Sequence, residues 1–147
     1  EPDNDLREKF NSEIYSIEKI KSPELWTRYD HTIGCRTIKG PDTPGQFSIL
    51  DIYEINKKLV ITWSHNVDNC YKKMLELNSK PLGIVNCLNF GDPKYNLKDF
   101  KKTIDDMANN CNLYNVPVVG GNVSLYNTTG GESIYPTPII VMMGISK

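Results

Sequence analysis

An α+β fold, in which α and β layers stack and helices cover one face of a mixed β-sheet, is predicted from two observations. Segments rich in β-branched and aromatic residues alternate along the chain with two long segments whose apolar residues recur at helical spacing. The last of the extended segments, residues 137–145, is strongly apolar, which is typical of a buried strand. Because the helices must bury their apolar stripes, a helix layer packed on one sheet face is the favoured arrangement.

Two parts of the chain are expected, a helical segment over residues 1–28 and a sheet domain over residues 29–147. Apolar residues recur at helical spacing over residues 5–20 with charges between them, which predicts an amphipathic helix. Pro23 after Ser22 predicts a second, short helix that runs to about Arg28, because proline is well tolerated in a first turn. The sequence begins without methionine and stops after an apolar run. These ends are those expected of a segment of a longer protein.

The sheet domain is expected to begin with a loop and a β-hairpin. Glycine, proline, threonine and aspartate follow one another closely over residues 34–45, which is loop chemistry. Residues 47–53 and 59–63 are rich in β-branched and aromatic residues and predict two strands. The three residues Asn56, Lys57 and Lys58 lie between them. We therefore expect these three residues to form the hairpin connection.

A helix with a single apolar face is predicted next. The positions i, i+3, i+4, i+7 and i+8 are all apolar or aromatic, which puts them on one stripe. The stripe consists of Val67, Cys70, Tyr71, Met74 and Leu75.

A buried strand, a turn and a long helix follow. Residues 81–87 are mostly apolar and predict the strand, and residues 89–93 carry turn residues. A helix is expected from about Asn96, whose side chain can accept from the free amides of the first turn, to near Tyr114. Its expected apolar face consists of Leu97, Phe100, Ile104, Met107, Ala108 and Cys111.

The last third of the domain combines a glycine pair with two extended segments. Residues 116–119 are short and apolar, and Gly120 and Gly121 after them allow a close approach of the backbone to another group, which suits a ligand. The chain is expected to continue extended through Leu125 and Tyr126, to form a loop over residues 127–136, and to end in the strand over residues 137–145. One helix layer covers only one sheet face. A second copy or a related domain is therefore expected to cover the other.

Composition argues against several functional classes. Charged residues make up 24% of the chain and the formal net charge is −1, so neither a nucleic-acid-binding surface nor a disordered acidic tail is indicated. No stretch approaches the ~20 consecutive apolar residues of a membrane helix, and the charged N-terminus is unlike a signal peptide. A cytoplasmic location is therefore expected. The four cysteines lack a Cys-x-x-Cys pair, so we expect reduced thiols.

Four stretches of the sequence carry a resemblance to a known family. They are RYDHTIG at residues 28–34, NCLNFGDP at residues 86–93, GGNVSLYN at residues 120–127 and YPTP at residues 135–138. Their residues, order and approximate spacing are similar to those of the phosphoribosylformylglycinamidine synthase family, in the aminoimidazole ribonucleotide synthetase-like superfamily. The resemblance covers roughly residues 22–145. It implies the N-terminal sheet domain of the second half of a synthetase chain.

The resemblance implies a portion of an ATP-dependent carbon–nitrogen ligase of purine biosynthesis. Members of the family convert formylglycinamide ribonucleotide, ATP and glutamine-derived ammonia into formylglycinamidine ribonucleotide. Two sheet domains pair face to face in these enzymes, with nucleotide sites along the joint, and the catalytic histidine lies in the first half. The isolated chain is therefore expected to be inactive. Its expected partners are the remaining synthetase domains, a glutaminase subunit or domain and, through the sheet face, a second copy of itself.

Four residues acquire roles from the resemblance. Asn86 and the backbone of Gly121 fall on positions that contact ATP, which is a substrate of the family. Asn122 falls on a ligand position for Mg²⁺, the implied cofactor, and Ser124 falls on a position that contacts the substrate. A carboxamide oxygen is a hard ligand suited to Mg²⁺, and a hydroxyl can hydrogen-bond a phosphate or a sugar. None of the four is a nucleophile or a base, so no catalytic residue is expected.

Two departures from the family favour a function of another class. The connection between Thr62 and Val67 is shorter than in the family, and Asn86 stands where many members carry an aspartate, which attracts a dication more strongly. The alternative is a noncatalytic structural or dimerisation domain that has lost nucleotide binding. Other superfamily members, such as a selenophosphate or hydrogenase-maturation enzyme, are disfavoured because they lack the NCLNFG stretch.

Several other residues admit a functional reading but favour a structural one. Asp30 and His31 are adjacent and could form an acid–base pair, but neighbouring residues of a strand or turn usually point apart, so a loop or domain-contact role is favoured. His65 is assigned no function. Gly120 and Gly121, without the resemblance, would be read first as a tight turn.

Overall fold

The computed structural model describes residues 23–146, so the helix predicted over residues 5–20 lies outside the described residues. The chain divides into two compact units, Glu1–His31 and Thr32–Lys147. The division after residue 28 made from the sequence stays a prediction. The described helices are α1 (Pro23–Trp26), α2 (Val67–Glu76) and α3 (Pro93–Tyr114). The described strands are β1 (Thr37–Lys39), β2 (Phe47–Ile52), β3 (Lys57–Ser64), β4 (Ser79–Asn89), β5 (Val118–Ser124), β6 (Thr128–Thr129), β7 (Glu132–Ser133) and β8 (Thr137–Ser146).

Six strands form one mixed sheet in the order β1-β2-β3-β8-β4-β5. The pair β4–β5 is parallel and every other neighbouring pair in this sheet is antiparallel. The last strand, β8, lies between β3 and β4 in the middle of the sheet. Its central position explains why residues 137–145 are so apolar, since a central strand has neighbours on both sides. The mixed sheet predicted from the sequence is confirmed.

Helices α2 and α3 cover one face of the sheet, as predicted. Alternate residues of the three central strands are fully buried on this helix-covered face, among them Val60, Ile84 and Met142. Helix α2 contributes Val67, Cys70 and Met74 to the same core, and α3 adds Cys111. Leu75 does not join them, because half of its surface is exposed. The predicted α2 stripe is therefore correct except at this last position.

No element of residues 32–146 covers the other face of the sheet, and we call it the open face. Side chains of successive strand residues alternate between the two faces, so the neighbours of the core residues point to the open face. These apolar side chains are half-buried, and Trp63 is 38% exposed. The open face carries Leu50, Leu59, Ile61, Trp63, Val85, Ile139, Val141, Met143 and Ile145.

The predicted hairpin is formed by β2 and β3, but its connection differs from the prediction. The chain reverses through a single 3-10 turn at Tyr53–Ile55, which is followed by Asn56 in the left-handed conformation. Lys57 and Lys58 were expected in the connection and instead pair with β2 as strand residues. Asparagine tolerates a positive φ better than lysine does, so the reversal is completed at Asn56.

Two short pieces of sheet lie within segments predicted as loops. Strand β1 pairs with β2 through an irregular register between Thr37 and Lys39. Strands β6 and β7 form a separate two-stranded hairpin closed by Gly130 and Gly131, both at positive φ. The chain before this hairpin does not extend as a strand, because Tyr126 adopts a φ of 61°. The prediction of an extended Leu125 and Tyr126 was wrong.

Helix α3 begins three residues earlier than predicted. Asp92 is its N-cap and accepts from the Lys94 amide at 2.9 Å, and Pro93 occupies the first turn. Asn96, predicted as the cap, lies inside the helix and interrupts it with non-helical φ and ψ of −128° and 28°. The end near Tyr114 is confirmed, with Asn115 in the left-handed conformation as C-cap.

Candidate functional site

The four residues with predicted binding roles all lie on the parallel pair β4–β5 at one edge of the sheet. Asn86 is the register partner of Gly121. Asn122 pairs with Cys87, and Ser124 pairs with Asn89. The glycine pair lies within β5 and does not form the tight turn that the sequence alone suggested.

Gly121 is fixed as glycine by both its conformation and its neighbour. Its φ is 144°, a value that residues other than glycine rarely adopt. A Cβ on Gly121 would lie 2.7 Å from Cγ of Asn86 and would also meet the oxygen atoms of that residue. Gly120 is different, because a Cβ there would meet only Cγ1 of Val85 at an ordinary 3.7 Å. The close approach predicted for the glycine pair is therefore made at Gly121, to Asn86 of the neighbouring strand.

The four residues do not converge on one face of the sheet. The side chain of Asn86 lies on the helix-covered face, where its amide nitrogen is 3.8 Å from Sδ of Met107 in α3. Asn122 and Ser124 lie one and three residues after Gly121, so their side chains point to the opposite face of the sheet. They lie on the open face beside their register partners, Cys87 and Asn89. Asn122 is exposed and Ser124 is half-buried. The strand edge therefore presents two polar side chains to the open face and one to the helix layer.

Ser124 already has a partner within the chain. Its hydroxyl lies 3.2 Å from Oδ1 and 3.1 Å from Nδ2 of Asn127. The Asn127 amide nitrogen also donates to the backbone oxygens of Ser124 and Phe90, at 3.1 and 2.9 Å. A ligand that binds the Ser124 hydroxyl must therefore compete with Asn127 or share the hydroxyl with it.

Asn127 is a residue of the site that sequence reasoning missed. Besides its side-chain bonds, its backbone amide donates to the Phe90 oxygen at 3.1 Å, and its own carbonyl accepts from Ile134. Tyr126 and Phe90 add further backbone bonds between the ends of β4 and β5. The Asn127 clamp, as we call these bonds, fixes the chain just beyond the paired ends of the two strands. Asn127 belongs to the GGNVSLYN stretch, but nothing in its spacing signalled this contact.

The described residues do not form a magnesium site on their own. No group of three His, Cys, Asp or Glu side chains within residues 23–146 could hold a metal ion. Asn122 offers one carboxamide oxygen, whereas Mg²⁺ in proteins is usually held by one or two carboxylates together with phosphates and water. The chain therefore supplies one suitable ligand at this edge and not a coordination sphere.

The two histidines and the four cysteines have local structural contacts. The rings of Trp26 and His31 meet edge to face with centroids 4.9 Å apart. Nδ1 of His65 lies 2.9 Å from the Pro138 carbonyl oxygen. All four cysteines are free, and burial raises the pKa of the Cys70 thiol to about 11, which makes it an unreactive part of the core. None of the helices within residues 23–146 is long and apolar enough to span a bilayer.

Comparison with known proteins identifies relatives of this sheet domain. Residues 47–146 match the family described as AIR synthase related protein, N-terminal domain. The phosphoribosylformylglycinamidine synthase subunit PurL of Carboxydothermus hydrogenoformans is 36% identical over 96% of this chain. The same subunit of Caldanaerobacter subterraneus is 31% identical over 98% of the chain. The chain spans 22% of the length of each of these two relatives.

Solved structures of PurL from Thermotoga maritima are similar in fold. The structure described as PurLQS matches with a TM-score of 0.73 and 26% identity, and covers 87% of this chain and 24% of that one. Structures of PurL from the same organism complexed with ADP and with FGAR each match with a TM-score of 0.70 and 27% identity, and each covers 86% of this chain. The family match extends over every strand of the sheet from β2 to β8. The chain therefore belongs to the family of AIR synthase related N-terminal domains.

Proposed function

We propose that this chain is a portion of an ATP-dependent carbon–nitrogen ligase that converts formylglycinamide ribonucleotide to formylglycinamidine ribonucleotide in purine biosynthesis. The curated relatives carry the name of that synthase, and the PurL structures include complexes with ATP, ADP and FGAR. In the complete enzyme, ATP would phosphorylate the glycinamide carbonyl oxygen and leave as ADP, and ammonia would then add at that carbon as phosphate leaves.

The observation that carries the proposal is the geometry of the β4–β5 edge. Gly121 brings its backbone against Asn86 without an intervening side chain, and Asn122 and Ser124 extend from the next positions onto the open face. We propose that the Gly121 backbone and Asn86 contact the nucleotide and that Ser124 contacts the ribonucleotide substrate. Since phosphoryl transfer requires mainly positioning and charge neutralisation, a wall of neutral polar groups can contribute to it.

The chain needs partners to complete such a site. Asn86, Gly121 and Asn122 offer no nucleophile or general base, and the Ser124 hydroxyl is held by the Asn127 amide and not by a base that could activate it, so the isolated chain should be inactive. The apolar side chains of the open face would be buried if another synthetase domain, or a second copy of this chain, packed against them. Ammonia would come from a separate glutaminase subunit or domain. The soluble substrates of this pathway favour a cytoplasmic location.

Magnesium enters the proposal only as an ion that arrives with the nucleotide. Asn122 would add one ligand to an ion held chiefly by phosphates and by groups outside this chain. No step of the reaction is assigned to a metal bound by the described residues alone.

Calorimetric titration of the chain with magnesium-ATP tests the proposal, run beside sedimentation that reports the oligomeric state. We expect saturable binding that Asn122→Ala weakens. Asn109→Ala is the matched control, because Asn109 is an exposed asparagine of α3 and not a residue of β4 or β5. Equal binding by both variants, or no binding to a dimer, would contradict the nucleotide site.

A noncatalytic structural domain is the second candidate, and three observations favour it. The Asn86 side chain faces the helix layer, the Ser124 hydroxyl is held by Asn127, and only His65 and Asn66 connect β3 to α2. In this case the open face would still pair with another domain, but magnesium-ATP would give no heat of binding. The same titration distinguishes the two candidates.

A further inference from the structure

A cavity of about 110 Å³ lies between α3, the start of α2 and the first part of β8, on the helix-covered side of the sheet. Its floor is apolar and formed by Val67, Met107 and Ile140. Polar groups of His65, Asp106 and Asn110 stand around it. Because a water molecule takes up about 30 Å³ in the liquid, the cavity has room for roughly four groups of that size. It therefore suits a short alkyl chain that ends in one polar group.

Three of the polar side chains around the cavity present hydrogen-bond acceptors, whereas Asn66, whose Oδ1 caps α2, presents its amide nitrogen as a donor. The Pro138 carbonyl can only accept, so Nδ1 of His65 at 2.9 Å must carry a proton, and Nε2 is then an acceptor whenever the ring is neutral. Asn110 donates from Nδ2 to the Asp106 backbone oxygen at 2.8 Å, which leaves its Oδ1 available. The Asp106 carboxylate is acceptor-only when ionised.

The Asp106 carboxyl group also has no ion-pair partner among residues 23–146. The ion pairs recorded there join Arg36 with Glu54, Lys72 with Asp68 and Lys73 with Glu76. The N-terminus of α2 would offset the negative charge of an ionised Asp106 only in part, because a helix N-terminus corresponds to about half a positive charge. The cavity therefore has the electrostatic character of a cation site.

From the acceptors, the unpaired carboxylate and the apolar floor, we infer that this cavity binds a protonated primary amine on a short alkyl chain. The ammonium group donates to the Asp106 carboxylate and to Asn110 Oδ1, and the methylene groups lie against Met107 and Ile140. A free alkylamine and a lysine side chain share this chemistry. The site lies on the helix side of the sheet, opposite Asn122 and Ser124 on the open face, and Met107 in its lining lies 3.8 Å from the amide nitrogen of Asn86.

Three isosteric probes of different charge test this site: n-butylammonium, 1-butanol and butyrate. They are titrated into the isotope-labelled chain while backbone amide NMR signals are followed. We expect saturable shifts at Val67, Met107 and Asn110 with n-butylammonium only. Equal binding of 1-butanol would mean a purely apolar cavity, and stronger binding of butyrate would mean an anion site at the start of α2. Either result, or the absence of saturable shifts with the amine, overturns the inference.

The substitution Asp106→Asn tests whether the amine binds at this carboxylate. Asp105→Asn is its control and reports the effect of removing any one acidic side chain from the surface of α3. Both residues are exposed on α3, but only Asp106 lines the cavity. We expect Asp106→Asn to weaken amine binding roughly tenfold, the factor given by loss of one charge-assisted hydrogen bond, and Asp105→Asn to change it less than about twofold. Equal effects of the two substitutions would refute the site.

Capped lysine, with its α-amino and carboxyl groups blocked, distinguishes the two sources of the amine. Binding at least as strong as that of n-butylammonium supports a lysine side chain of a partner as the occupant. Binding of n-butylammonium alone supports a free amine.

Discussion

The Asn86 side chain occupies the space in which a Cβ of Gly121 would lie. These two residues are register partners on parallel strands, and the amide of Asn86 extends from there toward Met107 of α3. The contact joins the sheet edge to the helix layer at the centre of the proposed nucleotide site. It therefore makes the local stability of that edge depend on the absence of a side chain at position 121.

Gly121→Ala should destabilise the chain by about 2 kcal/mol or more, because an unfavourable φ and a close contact with Asn86 act together. Urea denaturation gives the free energy of unfolding directly. Gly120→Ala is the control and should change it by less than about 1 kcal/mol, because its new methyl group meets only Val85 at 3.7 Å. Asn86→Ala should rescue Gly121→Ala only in part, since the Asn86 backbone oxygen also lies too close. Equal stability of the two glycine variants would contradict the contact.

Asn127→Ala should destabilise the chain by about 1–3 kcal/mol, because the backbone oxygens of Phe90 and Ser124 lose a donor in a half-buried place. Thermal or urea unfolding measures the loss, and Asn109→Ala on the exposed side of α3 should have little effect. Asn127→Asp tests the direction in which stability changes with pH. Its carboxylate would face acceptors, so its pKa should be raised in the folded state. The variant should then gain stability as the pH falls.

The long elements of this fold follow from periodicity in the sequence. Helix α2 was predicted at its observed start because its apolar positions repeat every three or four residues, and β8 was predicted because nearly all of its residues are apolar. The short strands β1, β6 and β7 could not be found in this way. Two or three residues carry no periodicity, and such strands exist through hydrogen bonds to a neighbour that the local sequence does not reveal.

The arrangement of the candidate site was predicted less completely than its location. The sequence suggested that Gly120 and Gly121 interrupt the extended segment, either as a tight turn or as a place where a ligand approaches the backbone. In the structure β5 continues through both glycines. Once β5 is a strand, the alternation of side chains requires Gly121 and Asn122 to face opposite sides of the sheet. Asn86 lies on the same face as Gly121 because the two residues are register partners on β4 and β5. The sequence alone does not reveal this register.

Tyr114→Phe should remove a pH-dependent contribution to stability while keeping the ring contact with Tyr71, whose centroid is 3.9 Å away. Hydrogen bonds from Lys72 and then from Tyr114 lower the pKa of the Asp68 carboxyl below its ordinary value of 3.8. The stabilisation is therefore present above that value and is lost as the pH falls through the lowered pKa. We expect the variant to be less stable than the wild type at pH 7, and the two to converge below the lowered pKa. A constant difference across this range would exclude Asp68 as the cause.

Arg36→Ala should return the pKa of Glu54 from about 2 toward its ordinary 4.5, because the hydrogen bond from Arg36 is the main cause of the lowering. Titration of the Glu54 carboxyl followed by NMR measures both values. The contribution of this pair to stability is present above pH 4.5 and decreases as the pH falls toward 2. An unchanged Glu54 titration in the variant would show that the pair does not form in solution.

Met142 and Met143 provide a matched test of the two sheet faces, since they are neighbours on β8 and differ only in the face they occupy. Met142 is fully buried beneath the helices, and Met143 is half-buried on the open face. Met142→Ala should destabilise the chain by about 2–5 kcal/mol, as for other large-to-small core substitutions. For a monomeric chain, Met143→Ala should cost less, about 1 kcal/mol, because only part of its side chain is buried. If another domain or a second copy covers the open face, the cost of Met143→Ala should rise with protein or partner concentration, because association is linked to folding. Urea denaturation at several concentrations separates these cases. A large cost at Met143 that does not vary with concentration would mean that the open face is already buried within the chain.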